Sequence, residues 1–263
     1  MHPKRRRPAP WPVELYRSAV GKKWVMALTG IVLMGYVFAH MIGNLKVYLG
    51  AEDINHYGEF LRDLLVPILP RTVALWLMRV GLAVAFALHV HAAYSLTRMN
   101  RRARAGGGYV SKRDYQAATA ASRSMRWTGV VVGLFLVWHL ADLTWGTVNP
   151  DFVRGDVYRN MVASFERPAV SAIYIVANIA LGLHLFHGAW SMFQSLGLNN
   201  PRWNSWRRGF AVAFATVVMV GNVSFPIAVL TGVVSADDND DCVVRGDVIT
   251  TCELNAGGAN DDR

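Results

Sequence analysis

Residues 173–197, with the sequence IYIVANIALGLHLFHGAWSMFQSLG, form the stretch that decides the fold. It exceeds the roughly 20 apolar residues that a helix needs to cross a membrane, yet His184 and His187 lie in its interior. Ionisable side chains are costly in a hydrocarbon core, so histidines there indicate a function and a partner on another helix. Candidate partners lie on three other apolar segments: His40, His89 or His91, and His139.

The composition indicates a membrane protein. Of 263 residues, 53% are hydrophobic and 17% are charged, and the charges cluster between long uncharged runs. That pattern is typical of a chain that crosses the bilayer several times. The net charge of +9 comes from residues that flank the apolar segments, which argues against nucleic-acid binding. The first apolar run is too long for a signal-peptide core and no cleavage site follows it, so it is expected to be retained.

Five segments qualify as spans, which predicts an all-α membrane protein with five transmembrane helices. A four-helix core is expected to hold cofactors between the helices. The basic segment 1–23 precedes the spans, and the acidic segment 235–263 follows them as a tail. Pro226 is a candidate kink in the fifth span. The spans are predicted at about 24–45, 72–96, 127–146, 170–197 and 210–234.

The distribution of Lys and Arg predicts the orientation in the cell membrane. Basic residues concentrate in the N-terminal segment and in the loops after the second and fourth spans, which share one side. By the positive-inside rule this side is cytoplasmic, and the tail is external. Two cysteines in an external tail are expected to form a disulfide: Cys242 and Cys252. The basic residues are Lys4, Arg5, Arg6, Arg7, Arg17, Lys22, Lys23, Arg98, Arg101, Arg102, Arg104, Lys112, Arg113, Arg123, Arg126, Arg202, Arg207 and Arg208.

Depth in the membrane sorts the histidines into two pairs. With a rise of about 1.5 Å per residue, His40 and His139 lie roughly 24 and 18 Å from the inner boundary. His89 lies roughly 10 Å deep, and His184 roughly 20 Å or less if its helix tilts. A porphyrin with one imidazole on each face satisfies both the outer pair, His40 with His139, and the inner pair, His89 with His184. Four histidines on four consecutive spans favour this over four unrelated polar residues between helices.

Some assignments within the pairs stay open. His89 and His91 point about 200° apart around their helix, so only one can face the bundle. His184 and His187 share a face, so either could be the ligand. Glycines on these spans indicate either close packing around a flat cofactor or ordinary small-residue packing between membrane helices: Gly30, Gly35, Gly43, Gly133, Gly182 and Gly188.

Other polar residues in or near the spans are candidates for binding. Arg79 is a cation inside the second span and could pair with Asp142 or with a propionate of an outer heme. A quinone needs hydrogen-bond donors beside apolar walls. Residues near the inner boundary that meet this description are Lys23, Trp24, Ser191 and Gln194.

Three stretches resemble a known family. KKWVMALTGIVLMGYVFAHMIGNLKVYLG, residues 22–50, is similar to the first helix of the single-subunit cytochrome b membrane anchors of succinate dehydrogenase and fumarate reductase. LHVHAAYSLTRMNRRARAGGGY, residues 88–109, resembles the end of that family's second helix, and HLFHGAWSMFQSLGLNNPRW, residues 184–203, resembles its fourth. The resemblance covers most of the chain.

The resemblance implies a five-helix anchor that carries two b hemes and binds an iron–sulfur subunit and a flavoprotein. It implies that the ligands are His40, His89, His139 and His184, and that electrons pass from a succinate-oxidising or fumarate-reducing head to membrane quinone. The catalytic head would lie on the other subunits. Competing hypotheses are a diheme subunit of another quinone-linked complex and a non-redox transporter or scaffold with structural histidines.

The tail departs from the family pattern. Besides a disulfide, Cys242 and Cys252 could join a histidine pair as ligands of a Rieske-type [2Fe–2S] cluster. On topology they could reach only the outer pair, and only if the tail folds back into the bundle.

Overall fold

A computed structural model describes residues 10–103, 120–198, 200–236, 242–245 and 248–252. Several basic residues used to predict the orientation lie outside this part of the chain, as do residues 1–9 of the N-terminal segment and much of the tail. They are Lys4, Arg5, Arg6, Arg7, Arg104, Lys112 and Arg113.

The described part of the chain is mainly helical, as predicted. Short 3₁₀ helices at Leu45–Leu49 and Pro201–Trp203 adjoin two of the long helices. The α-helices are α1 (Trp11–Arg17), α2 (Ala19–Asn44), α3 (Ala51–Arg62), α4 (Val73–Ala103), α5 (Ala120–Leu143), α6 (Val157–Phe165), α7 (Pro168–Ser195) and α8 (Asn204–Leu230).

Five helices are long and apolar enough to cross a membrane, which confirms the predicted fold class: α2, α4, α5, α7 and α8. Four of them begin before the predicted span, and α4 continues to Ala103 instead of ending near residue 96. The apolar run marks only the part of a helix that is suited to lipid, and backbone hydrogen bonding continues into the polar flanks. Basic residues in the last turn of α4, Arg101 and Arg102, favour that extension through the helix dipole.

Two helices end three or more residues earlier than predicted, each before a glycine with positive φ. After α5, Gly146 has a φ of 70°, and the amide of Thr147 donates to the carbonyl of Ala141 over 2.8 Å. After α8, Gly232 has a φ of 73°, and Val233 donates to Ala228 over 2.9 Å. Glycine adopts this left-handed conformation without a steric penalty and closes the last turn. Pro226 lies inside α8, which continues to Leu230.

A single serine separates α1 from α2. Ser18 ends α1, its amide donating to the carbonyl of Leu15 over 3.0 Å. Its hydroxyl oxygen accepts from the amide of Gly21 over 2.9 Å, as an N-cap residue does. Lys22, only 8% exposed, donates back to the carbonyl of Tyr16 over 2.7 Å. The chain therefore turns sharply from the short helix into the first span.

The chain divides into two compact units, and every long helix contributes a segment to each. The first unit comprises Met1–Val37, Leu77–Met125 and Leu183–Ala215. The second comprises Phe38–Trp76, Arg126–Gly182 and Thr216–Arg263. His89, His184 and His187 belong to the first unit, and His40 and His139 to the second.

The second unit contains the short helices α3 and α6, which pack through buried polar side chains. Asn55 donates to the carboxylate of Asp156 over 3.1 Å and accepts from the amide of Val157 over 2.7 Å. Asp156 also caps α6 by accepting from the amide of Arg159 over 2.9 Å. These hydrogen bonds link the connection that follows α2 to the connection that follows α5.

The tail contains a β-hairpin that the sequence did not predict. Strand β1, Cys242–Arg245, pairs antiparallel with strand β2, Val248–Cys252. Cys242 and Cys252 are direct partners in the register.

Candidate metal centres

His89 and His184 face each other in the first unit. The centroids of their imidazole rings are 6.5 Å apart, with an angle of 68° between the ring planes. Both side chains are half-buried. A histidine from α4 and one from α7 thus come together, as the depth argument expects, and their role as ligands stays a prediction.

The protonated nitrogen of His89 follows from its hydrogen bonds. Its Nδ1 lies 3.1 Å from the carbonyl oxygen of Met26 and 3.2 Å from the hydroxyl of Thr29. A carbonyl can only accept, and the Thr29 hydroxyl already donates to the carbonyl of Val25 over 2.6 Å. Nδ1 therefore carries the proton, which leaves the lone pair of Nε2 for a metal ion.

The ring of His184 is also fixed by the backbone, through a hydrogen bond to Met125. His187 is only 7% exposed, and its Nε2 has no hydrogen-bond partner among the described residues. Its carbonyl accepts from the hydroxyl of Ser191 over 2.7 Å. His184 faces His89, whereas His187 lies against the ring of Phe186 at 4.9 Å.

His40 and His139 form a second pair, in the second unit. Their ring centroids are 5.9 Å apart and the ring planes are nearly perpendicular, at 83°. The Nδ1 of His139 is buried and has no hydrogen-bond partner among the described residues. The amide of Asn44 lies 3.4 Å from the Nε2 of His40. Here no hydrogen bond to the backbone fixes His139.

Aromatic rings surround His139 instead. Phe135, one turn earlier on α5, lies 5.8 Å away between centroids, and Tyr174 on α7 lies 5.9 Å away. The two aromatic rings also meet each other edge to face at 5.0 Å. Such pairs contribute about 0.5–1.5 kcal/mol beyond the apolar area that they bury. Packing therefore orients this imidazole.

The spacing of both pairs fits a metal ion held between two imidazoles. A metal–imidazole bond is about 2 Å long. Because a ring centre lies roughly 1 Å behind its ligating nitrogen, two imidazoles on opposite sides of one iron have centroids about 6 Å apart. The described part of the chain gathers no three His, Cys, Asp or Glu side chains into a metal site. A group that brings its own equatorial ligands, as heme does, therefore suits these two-residue sites.

The predicted glycines divide into two kinds. A Cβ at Gly43 would lie 2.5 Å from the ring of Tyr57, and one at Gly182 would lie 3.0 Å from Met219, so these two permit close packing. A Cβ at Gly30 would lie 3.4 Å from the ring of His89. Open space surrounds the Cβ position at the others: Gly35, Gly133 and Gly188.

The cation that pairs with Asp142 is Arg167, which the sequence analysis did not single out. Asp142 is fully buried, and Arg167 donates to its Oδ1 over 2.6 Å. Ser164 and Tyr174 donate to its Oδ2, Tyr174 over 2.9 Å. The role of Arg79 toward a propionate stays a prediction. The sequence signal that could have identified Arg167 is its position directly before Pro168, the first residue of α7.

An aromatic cavity lies in the first unit where α7 and α8 meet. It has a volume of about 510 Å³ and is lined chiefly by Phe193, Leu198, Trp203, Trp206 and Arg207. Arg207 is 2% exposed, with its guanidinium 4.9 Å from the ring centre of Trp190 and a bond to the carbonyl of Leu198 of 3.1 Å.

The predicted quinone residues do not line this cavity. Lys23, Trp24 and Gln194 are exposed, and the hydroxyl of Ser191 bonds within its own helix. Their role in quinone binding is not tested by these contacts.

His91 differs from His89 in its surroundings. It is exposed, and its Nδ1 is hydrogen bonded to the hydroxyl of Tyr16, with the two rings stacked at 5.8 Å. The structure thus places His89, and not His91, beside His184.

Comparison with known proteins finds one family model that matches part of the chain. The sequence model of the succinate dehydrogenase/fumarate reductase transmembrane subunit matches residues 108–223, which contain His139 and His184. No curated protein and no solved structure shows significant similarity to the chain. The match supports the resemblance to this family, and it includes the stretch 184–203 that carried part of that resemblance. Together with five helices long and apolar enough to cross a membrane, it supports a multi-pass membrane protein similar to the succinate dehydrogenase/fumarate reductase transmembrane subunit.

Proposed function

We propose that this chain anchors a succinate:quinone oxidoreductase in the cell membrane and conducts electrons from a bound iron–sulfur subunit to quinone. The observation that supports this most directly is the presence of two histidine pairs, with ring centroids 6.5 and 5.9 Å apart. Heme b bound to these pairs would supply one-electron transfer. The flavoprotein that handles the dicarboxylate would bind to the iron–sulfur subunit.

The chain's own contribution is to hold and orient the ligands. Met26 and Thr29 keep the proton of His89 on Nδ1 and aim Nε2 away from the backbone. Removal of a hydrogen-bond partner of a metal-binding histidine typically lowers the metal affinity 10–100-fold. His40 and His139 are held by other means, through Asn44 and through the aromatic rings around His139.

The partner subunits would bind on the cytoplasmic side, where the N-terminus is proposed to lie. Exposed basic residues support this orientation through the positive-inside rule and offer complementary charge to an acidic partner. Those in the described part of the chain are Arg17, Lys23, Arg98, Arg101, Arg102, Arg126, Arg202 and Arg208.

The aromatic cavity supports quinone binding in the first unit. Its volume lies within the usual range for small-molecule sites, about 300–1,000 Å³. Apolar rings suit a quinone head group, and a guanidinium offers several N–H donors to a carbonyl oxygen. Phe193 on α7 lies nine residues after His184, a rise of roughly 14 Å. Ser191 and Gln194 lie on the same stretch and stay candidates.

The first test is a spectrum of the protein purified from membranes with its partners. Reduced-minus-oxidised b-type absorption bands, together with iron–sulfur and flavin-containing subunits, are the expected result. Purification of an active quinone reductase that consists of this chain alone would contradict the proposed partners. A featureless spectrum would contradict heme ligation by the histidine pairs.

A further inference from the structure

A buried ionic cluster in the second unit has no part in the histidine pairing itself. The carboxylate of Asp142 is 0% exposed and accepts hydrogen bonds from Arg167, Ser164 and Tyr174. Three donors, including a guanidinium, are directed at its two oxygens, and hydrogen bonds that involve a charged group are stronger than neutral ones. Burying an ion pair costs desolvation free energy that the attraction between the two charges often does not recover. A contribution to folding stability is therefore a poor explanation for this pair, and a functional role is the better one.

Tyr174 connects this cluster to a proposed ligand. Its ring lies edge to face with His139 at 5.9 Å, and its hydroxyl donates to Asp142 over 2.9 Å. Phe165 also packs edge to face against the ring of Tyr174, at 4.8 Å between centroids. Asp142 also follows His139 by three residues on α5, so the two share one face of that helix.

The carboxylate end of the ion pair contacts Tyr174, whose ring packs against His139. Tyr174 and Ser164 bind Oδ2, whereas Arg167 binds Oδ1 over 2.6 Å. Arg167 precedes Tyr174 by seven residues, a rise of roughly 10 Å along α7. Its Nη1 donates to the carbonyl of Val148, in the connection after α5, over 2.8 Å. The guanidinium is thus bound to the carboxylate oxygen that Tyr174 does not contact and to the connection after α5.

We propose that Asp142 is a positioning residue that fixes Tyr174 against His139 and lowers the reduction potential of the centre held by His40 and His139. The inference rests on the proposed function, since it requires a redox-active iron at that pair. It goes beyond that function because it names residues that set the potential of one centre.

The physical reason is electrostatic. Reduction of a ferric centre adds one electron and removes one unit of positive charge from the iron. A fixed carboxylate nearby stabilises the more positive, oxidised state, so reduction becomes less favourable. Charges act strongly at such sites because the surrounding dielectric is low. Removal of the carboxylate should raise the potential, and removal of the guanidinium should lower it.

The test is redox potentiometry of the purified complex, following the b-type absorption of each centre. Asp142→Asn keeps the size of the side chain and one acceptor oxygen but removes its charge. It should move one centre to higher potential and leave the other unchanged. Arg167→Gln should move that same centre to lower potential. Asp156→Asn is the matched control, because Asp156 is also a buried carboxylate of the second unit, and asparagine preserves its capping role.

Opposite shifts in the two variants are the decisive result, because general packing damage would not reverse its sign with the charge. Equal shifts in the same direction, or no shift beyond that of Asp156→Asn, would overturn the inference while both centres remain in place. If Asp142→Asn prevents assembly, the sign for Arg167→Gln decides alone, since that side chain is 30% exposed and Ser164 and Tyr174 still donate to the carboxylate. Absence of any redox-active centre in the wild-type protein would overturn the proposed function as well.

Discussion

The two histidine pairs have similar spacing but are held by different physical means. In the first unit, hydrogen bonds to Met26, Thr29 and Met125 fix the rings of His89 and His184. In the second, His139 has a buried Nδ1 without a hydrogen-bond partner among the described residues and lies between aromatic rings. The comparison shows that one ligand arrangement can be oriented either by directional bonds or by packing next to a fixed charge. It predicts that the two centres respond to different mutations.

The largest expected effect is loss of one centre. His184→Ala or His89→Ala should remove one of two b-type signals and abolish quinone reduction, since the imidazole supplies the metal bond itself. The soluble head should still oxidise succinate with an artificial acceptor. Visible spectra and activity assays of the purified complex measure both effects.

His40→Ala or His139→Ala should remove the other signal and leave residual quinone reduction. His91→Ala is the control, and it should retain both signals because this exposed side chain contacts Tyr16. Full quinone reductase activity in an assembled His184→Ala complex would contradict the assignment of the first pair.

A smaller effect should follow from weakening the bonds that orient His89. Thr29→Val removes the hydroxyl 3.2 Å from Nδ1 and preserves the shape of the side chain. Heme affinity at the first pair should fall about 10-fold or more, in line with other partners of metal ligands. Heme retention during dilution, followed spectroscopically, measures it.

Thr97→Val is the matched control. Among the described residues, the hydroxyl of Thr97 donates only to a carbonyl of its own helix, that of Ala93. Equal heme loss from the two variants would mean that the hydroxyl of Thr29 has no special role.

Next in size is a packing change close to the second pair. Gly43 lies three residues after His40, and a Cβ there would come within 2.5 Å of the Tyr57 ring. Gly43→Ala should destabilise the protein by about 1–3 kcal/mol through overpacking, with little effect on the first pair. Thermal unfolding in detergent measures the change. Gly209→Ala, where the added atom meets open space, should show no loss.

The smallest effect on either centre is expected from the tail. Cys242 and Cys252 face each other across the hairpin register, and we expect them to be joined in a disulfide outside the membrane. Thiol reagents should modify neither cysteine unless the protein is first reduced, and Cys242→Ser should leave both b-type signals intact. Ready labelling of both in the unreduced protein would contradict the disulfide, and loss of a signal would favour a cluster-ligand role.

The fold was predictable because hydrophobic length is a property of the sequence alone. Five apolar runs gave five helices, although their ends depended on local features such as the turn at Gly146. Depth along each helix placed His89 with His184 because membrane thickness constrains all spans alike.

The surroundings of the histidines were not predictable in the same way. Arg167 reaches Asp142 only through the course of the chain between α5 and α7, which no periodic pattern encodes. Thr29 and His89 are 60 positions apart in sequence, and a single threonine in an apolar run usually bonds to its own helix. Contacts of this kind depend on how neighbouring helices are rotated, which the apolar faces of these long helices leave undetermined.

The pairing of Asp142 with Arg167 also has a consequence for how the protein is made. An aspartate in the middle of a lone membrane helix costs about 2.5–3.5 kcal/mol on insertion scales, less near a helix end. Its cation is synthesised 25 residues later, at the start of the next span. Because Asp142 is the penultimate residue of α5, this helix can enter the bilayer with the carboxylate still at the boundary. The carboxylate is then expected to become buried once Arg167 has been synthesised and pairs with it.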